Sequence, residues 1–123
     1  MTKEELQKKV EDMNKFLQER SNDEPATMLD RMQILEVMMS QAGEYFAECK
    51  RNQEIVINEA ISNAMELQLE ETLSASTINL FVKTASSDWG FLVNSFERIN
   101  SAAVHQHDGL RTRISYVKTL LNG

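Results

Sequence analysis

Asn94, Arg98, Ser101, His105, Asp108, Thr112, Ser115 and Thr119 recur at steps of four and three, so on a helix they share one face. They are short hydrogen-bonding side chains, several of them poor helix formers. The first twenty residues, by contrast, fill their polar positions with Lys and Glu. Groups of this kind are usually kept where a partner or a neighbouring helix satisfies them. The face is therefore a candidate contact surface, with Arg98, His105, Asp108, Arg111, Thr112 and Ser115 as its binding residues. The plain alternative is a solvated helix face. His105 and Asp108, at i and i+3, are spaced to share a hydrogen bond.

Other chemistry is thinly represented. His105 and Asp108 would supply two metal ligands where zinc needs three or four. His107 lies about 200° round the helix from His105, beside Leu110 and Ile114, where a packed histidine is expected. No metal site is predicted. Cys49 continues an apolar stripe with no cation placed to activate it, so it reads as a structural thiol. Trp89 and Phe96 occupy core positions, and base stacking is the lesser reading. The chain has no Gly-rich phosphate loop, H-E-x-x-H, CxxC or G-x-S-x-G, and no inward Glu-x-x-His pairs of the di-iron kind. No catalytic residue and no cofactor is expected, and the protein is read as a non-enzyme.

The elements that must position these residues are helices. Thr2 and Glu5 form a capping box, after which Leu6, Val10, Met13 and Leu17 make a narrow stripe on a helix over about residues 3–20. Residues 21–25 break the pattern, and Pro25 suits a first helical turn. Met28, Met32, Leu35, Met39, Ala42, Phe46 and Cys49 then repeat at four and three, widened by Ile34, Met38 and Tyr45. Gly43 within the stripe would let another helix approach. Residues 51–54 are a polar interruption where the helix bends or runs on. Ile57, Ile61, Ala64 and Met65 carry the pattern to about Thr72. Ser74-Ala75-Ser76 reads as a loop and N-cap. Ile78, Val82, Ala85, Trp89, Leu92, Phe96, Ile99 and Ala103 follow, then Leu110, Ile114, Val117 and Leu121. Ser86-Ser87-Asp88 can cap a second start, leaving one long helix or two. The fold class is all-α, a bundle of three to five long helices with coiled-coil-like heptad stripes, in a single domain over residues 1–123. Stripes on so small a chain favour self-association.

The chain carries a net charge of −6, unevenly spread. Residues 1–75 hold eight Lys/Arg against sixteen Asp/Glu, and residues 76–123 five against three. The acidic part should repel nucleic acid, and the C-terminal part can tolerate it. One cysteine excludes an intrachain disulfide and fits a reducing compartment. No apolar run resembles a signal peptide or approaches the roughly 20 residues of a membrane span, so no membrane partner and a cytoplasmic location are expected.

The stretches Glu97-Arg98-Ile99-Asn100, His105-Gln106-His107-Asp108-Gly109-Leu110-Arg111-Thr112 and Ile114-Ser115-Tyr116-Val117-Lys118 carry a resemblance. They are similar to a family of small helical proteins of bacteriophages and mobile elements of gut Bacteroidota. In that family E-R-[IL]-N precedes H-Q-x-[DE]-G-[LM]-R-T-x-I-S-x-x-K. Residues 74–83 resemble the same group, so the likeness spans about residues 74–118. The motif carries no known chemistry. A fainter likeness is to phage recombination mediators, small oligomeric helical proteins that load a recombinase on single-stranded DNA. The resemblance implies a homo-oligomeric accessory protein that binds a protein partner or single-stranded DNA, in recombination or replication. The competing expectation is an acidic inhibitor of a host defence or nucleic-acid enzyme, using residues 1–75.

Overall fold

The computed structural model describes residues 1–20, 22–70 and 74–122, with the side chains of 67–70 left aside. It is all-helical, with 93% of the described residues in three helices and no strand among them. These are α1 (Lys3–Gln18), α2 (Pro25–Glu70) and α3 (Ala75–Asn122). At 1.5 Å per residue the two long helices each run about 70 Å.

Local chemistry sets the helix starts. The Thr2 hydroxyl accepts from the Glu5 amide at 3.1 Å, the expected half of a capping box. Pro25 occupies the first position of α2, where its missing N–H costs nothing. Just before it, the Asn22 side chain accepts from the Glu24 amide at 3.2 Å. Ser74 caps α3 by accepting from the Thr77 amide at 3.2 Å. The expected end of α2 near Thr72 lies outside the described residues. Neither proposed interruption breaks a helix. α2 continues through residues 51–54, and α3 continues through 86–88, where the Ser86 and Ser87 hydroxyls turn back onto the Lys83 and Thr84 carbonyls.

α2 and α3 pack antiparallel. Tyr45 meets Phe96 with ring centroids 5.4 Å apart, and Glu36 meets His107. α1 lies alongside, chiefly on α3 and parallel to it. It begins where Lys3 reaches Asp88 (3.4 Å) and covers Trp89, and it ends where Leu17 meets Gln106. The core follows from this. Leu6, Met28, Leu35, Ala42, Cys49, Phe96, Ile99 and Ala103 are sealed at this end, with Val10, Met13, Leu92, Leu110 and Ile114 around them. His107 is buried beside Leu110 and Ile114, as its helical position implies.

Several positions expected inside lie outside. Ile61, Met65 and Ala85 are exposed because α1 stops level with Asp88 and no third helix covers the hairpin beyond. Leu121 is exposed because α3 overruns the start of α2, as the Arg113–Asp23 pair at 3.2 Å marks. Ile34 is exposed because α1 leans on α3 and touches α2 little. Gly43 permits no close helix approach: a Cβ built there meets nothing within 4 Å.

Candidate functional site

The polar stripe of α3 faces outward. Asn94, Arg98, Ser101, His105, Asp108, Thr112, Ser115 and Thr119 are all exposed, along a face of about 38 Å. All six predicted binding residues, Arg111 included, are exposed and share the outer side of α3. The stripe is opposite the core because Phe96, Ile99, Ala103, Leu110 and Ile114 hold the other side. Among the described residues no helix covers it.

Within the stripe, hydrogen bonding is local. The Thr112 and Thr119 hydroxyls donate to the Asp108 and Ser115 carbonyls at 3.1 and 2.9 Å. The Arg98 Nε donates to the Asn94 carbonyl at 3.4 Å. The hydrogen bond expected between His105 and Asp108 is replaced by another pair: Asp108 takes Arg111, one turn on, at 3.5 Å. The His105 ring stays exposed. Threonines that bond back to the helix leave their methyls outward, so the face offers hydroxyls, one amide, one imidazole, one carboxylate and two guanidiniums.

Arg111 also ties the stripe to the core. Its Nη2 approaches His107 Nδ1 at 3.5 Å, while His107 Nε2 lies 3.0 Å from Glu36 Oε1 on α2. An arginine can only donate, so Nδ1 accepts and Nε2 carries the hydrogen given to Glu36. Substitution of Arg111 therefore reaches the α2–α3 contact, whereas Arg98 touches only its own helix.

A second polar cluster was invisible in the sequence. Arg31 of α2 donates to the Phe16 carbonyl at 3.1 Å and to Gln106 Oε1 at 3.0 Å, and lies 4.4 Å over the Phe16 ring. Gln106 of α3 donates to the Leu17 carbonyl at 2.9 Å. The Phe16 carbonyl also accepts from the Glu19 amide at 3.1 Å, so the end of α1 is capped locally and from both neighbouring helices. The cation also sits at the negative end of the α1 dipole. An open cleft of about 510 Å³ beside it is lined by Arg20, Arg31 and Arg113. Arg31 is committed to the cap there and Arg113 to Asp23.

Cys49 is fully buried, and burial, helped by the nearby Glu48 charge, pushes its thiol up to about 11. A thiol held protonated is a poor nucleophile. Among the described residues no three His, Cys, Asp or Glu side chains converge as a metal site, and no helix is long and apolar enough to cross a membrane. No buried side-chain polar atom among them lacks a hydrogen-bond partner.

Comparison with known proteins returns no match: no family model, no curated sequence and no solved structure is significantly similar to the chain.

Proposed function

We propose that the chain is a non-enzymatic helical accessory protein of a phage or mobile element, working as an oligomer in the cytoplasm of a bacterial host. It acts by binding a macromolecular partner, in DNA recombination or replication. Its apolar stripes serve as coiled-coil-like seams of a helical bundle. The observation that carries the reading is the outer face of α3. Eight polar residues recur there without a break, and among the described residues no helix covers them. Glu and Lys, which would stabilise a solvated helix better, occupy none of those eight positions, and the charged residues there are Arg98 and Asp108, one of each sign. The resemblance of residues 74–118 to small phage and mobile-element proteins supplies the biological setting.

The acidic-inhibitor reading has one observation of its own. Residues 54–66 of α2 carry Glu54, Glu59 and Glu66, all exposed, and no Lys or Arg. Glu59 and Glu66, seven residues apart, share a helix face, and a DNA-like surface needs carboxylates of that kind.

Affinity capture from host lysate, with and without nuclease, tests both. The accessory reading expects a partner that His105→Ala or Arg98→Ala weakens about tenfold or more, the cost of leaving a buried polar group unpaired. If that partner is single-stranded DNA, Arg98→Ala also flattens the salt dependence of binding. A captured host enzyme lost on Glu54→Gln/Glu59→Gln and indifferent to His105 and Arg98 selects the inhibitor reading. A partner that ignores both sets contradicts the assignment of the α3 face.

A further inference from the structure

The groove between α2 and α3 that α1 fills at one end continues, empty, past the start of α1. It is lined by Ala60, Asn63, Ala64, Phe81 and Ala85, with a volume of about 260 Å³. Three features set it apart. Its floor is three alanines, and Phe81, large and half out in solvent (46% exposed), stands at its edge. It has no charged lining residue, whereas four other grooves among the described residues each have at least one. And it extends an apolar seam that a helix already occupies lower down, where Leu6, Val10 and Met13 are buried.

We propose that this groove is the self-association surface of the protein, covered by the same arm of a second copy in a two-fold pairing. The proposal rests on the oligomeric part of the function proposed above and supplies its contact. Shape favours a second copy over an unrelated partner. A two-fold interface is self-complementary, and this face carries both a knob, Phe81, and its hole, the alanine floor. Two-fold pairing seats each Phe81 over the alanines of the other arm, and the groove is roomy enough for a benzyl side chain. The groove lining itself carries no charge, so the Phe81–alanine contact adds no like-charge repulsion of its own. Area agrees as well. Residues 50–70 of α2 make an arm about 30 Å long, and two helices are about 20 Å wide. One arm laid on another covers roughly 600 Å² on each copy, at the lower bound of the about 1,200 Å² that stable interfaces bury in total. The partner's arm then occupies the layer in which α1 lies, its tip meeting the start of α1.

Light scattering on the full chain at micromolar concentration tests this, with helicity read in parallel. The expected wild-type mass is twice 14.1 kDa. Phe81→Asp removes the knob and Ala85→Glu blocks the hole. Both positions are exposed, so each variant keeps its helicity and dissociates at least about tenfold more readily. Leu120→Asp, at an exposed apolar position on the other end of α3, leaves the dimer intact. Arg98→Ala and His105→Ala also leave it intact, so loss of partner capture and loss of dimer are separate results. A monomeric wild type, a dimer that survives both groove variants, or one that Leu120→Asp dissociates instead overturns the proposal.

Discussion

Leu35 and Ile61 both sit on α2 at positions that the apolar repeat marks as inward, and Phe96 and Phe81 do the same on α3 or beside its stripe. Leu35 and Phe96 are completely buried, while Ile61 and Phe81 are 39% and 46% exposed. The difference is α1. Where it lies on the hairpin, large side chains from three helices close a core. Beyond it, two helices meet alone: Val56, Ile57, Ile78 and Val82 are only half-buried, and Ala64 is the one fully covered residue among those described in the arm. A long helix draws its stability from packing more than from propensity. The arm runs Ser-Ala-Ser-Thr-Ile-Asn-Leu-Phe-Val-Lys-Thr-Ala-Ser-Ser over residues 74–87, with weak helix formers and one charge. Periodicity reports which side of a helix is apolar. What covers that side depends on the lengths of the other elements.

The comparison breaks most visibly under truncation. Phe96→Ala should cost about 3–5 kcal/mol of unfolding free energy in urea denaturation, since the side chain is sealed against Tyr45. Phe81→Ala, measured where the chain is monomeric, should cost less than about 1 kcal/mol. Equal costs would mean that the arm has a core of its own.

The α1 cap comes next. Arg31→Ala removes a cation that adds a second hydrogen bond to the Phe16 carbonyl, beside that of the Glu19 amide, and holds Gln106, and should cost about 1–2 kcal/mol. Proteolysis should then cut first between α1 and α2. Gln106→Ala should have a smaller effect in the same direction. If Arg31→Ala leaves both stability and proteolysis unchanged, α1 is held by its apolar stripe alone.

Much of this was legible in the sequence and some was not. The caps at Thr2 and Ser74, the proline at the start of α2 and the packed His107 follow from interactions within a few residues or from helical phase. That the polar stripe of α3 lies opposite its apolar stripe follows from phase as well, whereas its exposure to solvent does not. The Arg31–Gln106 cap joins residues 75 apart, and no local pattern encodes it. The pairing of Asp108 with Arg111 rather than His105 was a choice between two neighbours at the same spacing, and there the permanent charge and forked donors of arginine win over an imidazole. Exposure of Ile34, Ile61 and Leu121 depends on where α1 leans and where two helices end, which are properties of the assembled chain.

Alkaline pH separates the two regions by another route. Burial raises Cys49 in the folded state to about 11, from about 9 when unfolded. The folded chain therefore holds the thiol proton over a range in which the unfolded chain releases it. The contribution is fully present below pH 9 and is lost as pH rises toward 11, at up to about 1.4 kcal/mol per pH unit. Cys49→Ala should lower stability overall and flatten this slope. An unchanged slope would show that the thiol is not sealed.

The smallest effects are gains. Gly43→Ala and Gly109→Ala place a methyl in open space within a helix, and each should add about 0.5–1 kcal/mol. A loss at Gly43 would reveal a neighbour that the folded monomer does not supply.

Amide hydrogen exchange at two protein concentrations tests the division of the molecule most directly. Exchange at the core should proceed by global opening and arm exchange by local opening. At low concentration, residues 35–49 and 92–110 should be strongly protected, and residues 54–66 and 75–87 should exchange markedly faster. At high concentration, protection of the arm should rise while that of the core stays nearly level. Uniform protection along α2 and α3, unmoved by concentration, would contradict the account: the arm would then be as self-sufficient as the end that α1 covers.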